Sequence, residues 1–261
     1  MNWIEAEYHD VFSWDCANKS IACTKLKIMK NLAEILEDLR EKCRDLRDEY
    51  MSGNLDRLHL LGKLNDRIVW ITKNAVVIEL ATSCDTLEGQ LLRDTTAVQR
   101  GKATKKFLSK YTNPVEYVLV EYQMAANFKS GEVSSQLVYH FCDKCSELVV
   151  VGPSVKNKCN FEVDATYFSK LTRGLSEGNK KKIKKVAKIV EEYPNLSVGS
   201  FLNKYATNWS ANKAHSAVSF IVLLALIGRL DILDSIDYKH ISDIGDSCLQ
   251  ALTHFRFAPS K

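Results

Sequence analysis

Residues 214–233 read AHSAVSFIVLLALIGRLDIL, the most apolar stretch of the chain, and its reading organises everything on either side. Between Ala217 and Ile227 the only polar residue is Ser219. As a helix this run spans about 16 Å, against roughly 30 Å of bilayer hydrocarbon, so it reads as a buried core helix and not as a membrane span. Gly228 supplies a helix stop and Arg229 a cation beside the helix C-terminus. Leu230–Leu233, flanked by Asp231 and Asp234, reads as a short strand or extended arm.

Towards the N-terminus the helical pattern continues over Ser197–Ala206, Asn179–Tyr193 and Ala165–Leu171, with Asn179 as an N-cap and Pro194 as a stop. Lys181, Lys184, Lys185 and Lys188 fall on one face of the 179–193 helix, opposite Ile183, Val186, Ala187 and Val190. Such a cationic face either contacts nucleic-acid phosphates or is simply solvated. Its lysines crowd a helix N-terminus, which the helix dipole disfavours.

Before residue 164 the period shifts from helix to strand. Val115–Gln123, Gln136–Phe141 and Glu147–Val151 are rich in β-branched and aromatic residues and predict a small antiparallel sheet. This region holds His140-Phe-Cys-Asp-Lys-Cys145, with Cys159 farther on. Two thiols separated by two residues, completed by His140 and Cys159, match a Cys₃His zinc knuckle of Cys142, Cys145, Cys159 and His140. The alternative is two thiols packed in a β-hairpin, with no cofactor. The other cysteines are scattered, which predicts buried free thiols in a reducing compartment.

From Ser20 to Tyr50 apolar residues recur at three- and four-residue spacing through Ile28, Leu32, Ile35, Leu39, Cys43 and Leu46. Met51–Asn54 breaks the stripe, and a second one follows from Leu55 to Ile78. Together they predict an antiparallel helical hairpin or coiled coil over 20–113, whose residues Ile28, Leu32, Ile35, Leu39 and Leu46 meet a partner's helices. Residues 1–19, with Trp3, Tyr8, Phe12 and Trp14 among acids, read as a docking segment.

The expected fold is therefore α+β and mainly α: a helical hairpin (20–113), a small antiparallel β region (114–163) and a helical C-terminal domain (164–261). Within that last domain, Ser200-Phe201-Leu202, Asn212-Lys213-Ala214, the apolar run from Phe220 to Leu226, Leu230–Leu233 and Tyr238–Ile244 carry a partial resemblance. Over residues 196–244 the pattern resembles the C-terminal winged-helix domain of the kleisins, subunits that bridge the ATPase heads of SMC complexes. The resemblance implies a winged-helix fold with Leu230–Leu233 as the wing strand and a place in a chromosome-associated complex.

Composition is that of an ordinary globular protein, with 46% hydrophobic and 26% charged residues and a net charge of +4, too small to require a nucleic-acid partner by itself. The N-terminus lacks the basic and apolar regions of a secretory signal, which predicts an intracellular protein, nuclear rather than cytoplasmic. The chain contains none of the GxGxxG, Walker, GxSxG or HExxH motifs, and its histidines sit apart. The sequence thus predicts a non-enzymatic scaffold or adaptor subunit. Its helices 20–108 and C-terminal domain would bind protein partners in a homo- or hetero-oligomer, without a membrane. The rival reading is a nucleic-acid-binding regulator that uses the basic helix and a zinc-stabilised hairpin.

Overall fold

The computed structural model describes residues 6–16, 20–84, 94–111, 114–123, 127–158, 211–237 and 240–256. Its centre is a five-stranded mixed sheet. Strands β1 (Tyr8–Cys16), β2 (Ile21–Met29) and β3 (Val76–Cys84) form an antiparallel meander. β4 (Val115–Glu121) lies parallel to β1 on its other side, and β5 (Cys145–Val151) lies parallel to β4, which gives the order β3-β2-β1-β4-β5.

This architecture corrects the expected one. Residues 8–16 are not a docking tail but the middle strand of the sheet. Lys25-Leu-Lys-Ile28 alternates polar and apolar, the period of a half-buried strand, and Lys25 and Lys27 both pair with Glu79 of β3 on one face. The heptad stripe truly begins at Leu32; Ile28 fitted its spacing by coincidence. Likewise Val76-Val-Ile-Glu-Leu80 alternates buried and exposed residues as β3 and does not prolong a helix.

The helical hairpin exists, but as an insertion between β2 and β3. α1 (Leu32–Met51) and α2 (Arg57–Asn74) are joined by a turn containing Gly53 at φ 103°, a left-handed conformation that glycine tolerates. Its base is fastened to the sheet: Met29 N–H donates to Ala75 O at 2.9 Å, and the Tyr8 hydroxyl donates to Asn74 O at 3.0 Å.

After α3 (Ala97–Leu108) and β4, the stretch expected as a strand at 136–141 belongs to α4 (Phe128–Phe141). Val133, Leu137 and Phe141 are buried at four-residue spacing, so the helical period outweighs β-branched composition. The topology requires it as well: β5 runs parallel to β4, and parallel neighbours need a crossover of a dozen or more residues, which α4 supplies. The small antiparallel sheet is replaced by this parallel pair.

A short 3₁₀ turn (Val155–Lys158) ends the part before residue 159. The chain then carries α5 (Ala211–Leu226), a one-turn helix α6 (Ile232–Ser235) and α7 (Ile241–His254). The predicted core helix is α5, and Gly228 ends it at φ 71°. Of Leu230–Leu233, expected as a wing strand, Leu230 and Asp231 form a turn and Ile232 and Leu233 open α6. The expected helices at 165–206 lie outside the described residues.

Two apolar cores flank the sheet. Phe12, Trp14 and Cys16 of β1 pack with Leu108, Tyr111, Val133, Leu137 and Phe141 from the α3–α4 side. Val11 of β1 joins the opposite core, built from α5, α7 and the base of the hairpin. α5 and α7 cross so closely that a Cβ on Gly245 would stand 2.5 Å from the Ser216 carbonyl oxygen. Among the described residues no helix is long and apolar enough to cross a membrane.

Candidate functional site

β1 is where the sheet changes direction, with an antiparallel neighbour on one side and a parallel one on the other. In open sheets flanked by helices, ligands sit at the carboxyl ends of strands beside such a switch point. The registered pair Trp14–Val120 is the last between β1 and β4, and one residue farther on each strand stand Asp15 and Glu121. Alternation puts both side chains on the α5–α7 face, opposite Trp14 and Val120.

α7 brings the remaining groups across that face. Asp243, Asp246 and Gln250 follow one another at three- and four-residue spacing, so they share one helix face. All three are buried, as are Asp15, Glu121 and Lys156. Lys156, in the 3₁₀ turn, places its ammonium between carboxylates: Nζ donates to Asp246 Oδ2 and lies 3.4 Å from Glu121 Oε2. Ser216 of α5 donates its hydroxyl to the other oxygen of Asp246, a reach that the glycine-permitted closeness of the two helices makes available. Gln250 donates from Nε2 to Glu121 Oε2, and Gln123 donates from Nε2 to Glu121 Oε1 at 3.1 Å. Asp243 accepts from the Ser20 hydroxyl at 2.5 Å and from Lys213 Nζ at 3.3 Å.

Electrostatics match this crowding. Burial pushes the Asp15 carboxyl well above the usual carboxylate range, and the neighbouring Glu121 and Asp246 add to the shift while Lys156 opposes it. Burial also raises Asp246, to about 6, against the pull of Lys156 and Ser216. At Lys156 burial disfavours the charge, but Asp246, Asp15 and Glu121 outweigh it and hold the ammonium above its ordinary range. Asp15, Glu121 and Asp246 therefore form a buried acidic cluster around the ammonium of Lys156. Titratable groups perturbed together in this way are a hallmark of functional sites.

The residues predicted from sequence lie elsewhere. Cys142 and Cys145 sit at the turn between α4 and β5, where their thiols donate to the carbonyl oxygens of Tyr139 and Phe141 at 3.2 Å each. His140 lies 3.2 Å from Lys144 Nζ through Nε2. Cys159 lies outside the described residues, as do Lys181, Lys184, Lys185 and Lys188. Among the described residues no three His, Cys, Asp or Glu side chains stand in a ready-made metal cage. Of the residues assigned to a partner interface, Ile28 belongs to β2, and Ile28, Leu32 and Leu39 are buried in the protein's own core. Ile35 packs against that core, and Leu46 is half-buried on the outer arm.

The carboxylates do not stand as a cation cage, since the Lys156 ammonium already pairs with Asp246 and Glu121, but their donor chemistry is of the kind a hard cation takes. The donors are oxygens only, the hard ligands that suit Mg²⁺, Mn²⁺ or Ca²⁺ and not zinc. A second observation points the same way: Gln250 is fully buried against Glu121, yet its Oε1 accepts no hydrogen bond, and neither does the buried Ser13 Oγ two residues before Asp15 on the same strand face. No local sequence pattern reveals the cluster, because its members come from β1, β4, the 3₁₀ turn and α7. The local signals were an acid closing each of two apolar strands and the spacing Asp243-x-x-Asp246-x-x-x-Gln250 on an amphipathic helix. No family model, curated protein or solved structure shows a significant match to this chain.

Proposed function

We propose that the protein is a divalent-cation-dependent phosphodiesterase acting on nucleic acid. The observation that carries the reading is the convergence of Asp15, Glu121 and Asp246, from three separate elements, in one buried cluster at the carboxyl ends of two parallel strands. Buried carboxylates are costly to ionise, and three of them beside a single ammonium would be stabilised by a further positive charge.

Asp15, Glu121 and Asp246 would hold Mg²⁺ or Mn²⁺, with Asp243 at the rim beside Lys213. Such a cation supplies Lewis-acid polarisation of a phosphoryl oxygen and a lowered pKa for water. Within the chain, Ser216 and Gln250 fix the orientation of Asp246 and Glu121, while Lys156 balances charge in the cation-free pocket. The same ammonium, within reach of both carboxylates, would meet a substrate phosphate oxygen once a cation took over the carboxylates.

A polyanionic substrate is favoured by what connects the pocket's parts. The sequence between Lys156 and Ser216 contains the run Lys180–Lys188, a block of cations of the kind that meets phosphates. The nucleic-acid reading of that run thus gains a chemical purpose. The scaffold reading leaned on a sustained heptad stripe in helices over 20–108 and on the absence of a catalytic motif, and strands β2 and β3 occupy parts of that range.

The test joins binding to turnover. Titration calorimetry with Mn²⁺ and Mg²⁺ should show saturable binding that Asp15→Asn and Asp246→Asn weaken at least tenfold. The wild-type chain should cleave DNA or RNA only with the cation present, and Asp15→Asn or Glu121→Gln should lower the rate by a hundredfold or more. A chain that binds neither cation, or whose cleavage survives Asp15→Asn, would overturn the proposal.

A further inference from the structure

The hairpin α1–α2 is long for what it buries. α1 has 20 residues and α2 has 18, yet only Leu32 and Leu39 of the first and Ile71 of the second are buried. The outer parts, 40–51 and 57–70, contribute no buried side chain. They nevertheless keep an apolar stripe: Cys43, Leu46 and Tyr50 on α1 and Leu61, Leu64 and Ile68 on α2 are all half-exposed. Two helices alone cover each other on one side only, and at the tip Leu55 and Leu58 are 72% and 58% exposed.

Charge separates the two helices. α1 carries seven acids and four bases, and α2 carries four bases and one acid, so the arm has one face of net −3 and one of net +3. Little of this is used internally. Among the described ion pairs Arg57–Glu49, at 2.5 Å near the tip, joins α1 to α2, and the pairs of Glu37 and Asp38 stay within α1.

We infer that the arm docks against the arm of a second copy of this chain, so that two hairpins close into a four-helix bundle. A two-fold axis sets α1 of each copy beside α2 of the other, which brings the acidic helix against the basic one twice. The half-exposed stripes then become the bundle's core. An arm about 30 Å long and two helix diameters wide offers roughly 600 Å² per copy, about 1,200 Å² in total, at the lower bound of stable interfaces. The inference concerns the arm alone and does not depend on the phosphodiesterase reading.

Sedimentation equilibrium of the full chain tests it, with circular dichroism to verify helix content. The wild type should be dimeric at micromolar concentration, and dissociation should rise with salt. Lys63→Glu with Arg67→Glu, exposed and one turn apart on α2, should give a monomer of unchanged helicity. Glu41→Lys with Asp45→Lys on α1 should do likewise, and an equimolar mixture of the two charge-reversed chains should recover a dimer. Leu58→Ser, which leaves the charges in place, should weaken the dimer at least tenfold. A wild-type monomer at about 100 µM, the upper limit of a useful self-affinity, would overturn the inference. So would a dimer indifferent to all these variants, or a monomer in which Lys63→Glu with Arg67→Glu abolishes nucleic-acid binding instead.

Discussion

The two faces of β1 invite comparison. Phe12, Trp14 and Cys16 point towards α3 and α4, Val11, Ser13 and Asp15 towards α7, and all six are buried. The first face is aromatic: the Trp14 ring lies 5.1 Å from Tyr111, 5.7 Å from Phe141 and 5.9 Å from Phe107, centroid to centroid. The second ends in a carboxylate pressed against two others. Apolar burial stabilises the first in proportion to the area removed from water, whereas the second is a place where charge is held at a cost. A single strand thus serves stability on one side and chemistry on the other. The period of two makes the division possible, since neighbours in sequence never compete for the same space.

The largest expected effect is on the aromatic side. Trp14→Ala should lower unfolding free energy by about 3–5 kcal/mol in denaturant titration, because it empties the centre of that core. Trp14→Phe should cost far less, since the indole N–H has no hydrogen-bond partner to lose. A loss below about 1 kcal/mol for Trp14→Ala would mean that the aromatic face is not what anchors the strand.

A smaller effect is expected where the second face is assembled. Gly245→Ala puts a methyl group 2.5 Å from the Ser216 carbonyl and 3.1 Å from Phe220 Cβ, which forces α5 and α7 apart. Thermal unfolding should report a loss of about 1–3 kcal/mol. Cation binding should weaken as well, because the Ser216–Asp246 contact depends on that approach. Weakened stability with undiminished cation affinity would separate the helix crossing from the pocket.

The smallest effect is the pH dependence of the charged face. The folded Asp246 carboxyl titrates near 6, above its ordinary 3.8, so between those values the folded state holds a proton that the unfolded chain has released. Stability from this group is present at low pH and is lost as pH rises through about 6. Melting curves of the wild type and Asp246→Asn, taken from pH 4 to 7, should differ by an amount that changes over this interval, with the wild type losing ground as pH rises. Divalent-cation affinity needs the ionised carboxylate and should move oppositely, tightening as pH increases. A pH-independent difference between the two proteins would show that Asp246 is ionised throughout.

How much of this was legible in the residues depends on the range over which each feature is decided. The apolar helix at 211–226, its stop at Gly228, the stripes of α1 and α2, and the strands at 115–121 and 145–151 are all written in local periodicity and turn chemistry. β1 and β2 were misread because short runs such as Val11–Trp14 carry no length from which to choose a period, and because Ile28 happened to extend the helical spacing. α4 was misread because Leu137-Val-Tyr-His-Phe141 has strand-like composition, whereas the parallel direction of β5, which demands a helix there, appears in no local pattern.

The candidate site was less legible still. The CxxC drew attention because its partners are three residues apart, but each thiol is already occupied by a nearby carbonyl. Asp15 and Glu121 are separated by more than a hundred residues, and Lys156 and Asp246 by 90. By itself the sequence determined which segments bury an apolar face and where helices stop, since both follow from side-chain period and backbone freedom within a few residues. Tertiary structure alone decided that β4 lies parallel beside β1 and that α7 crosses their ends. Only that arrangement turns three scattered acids and a lysine into one cluster, because Coulomb interactions act through space at a few ångströms, whatever the separation along the chain.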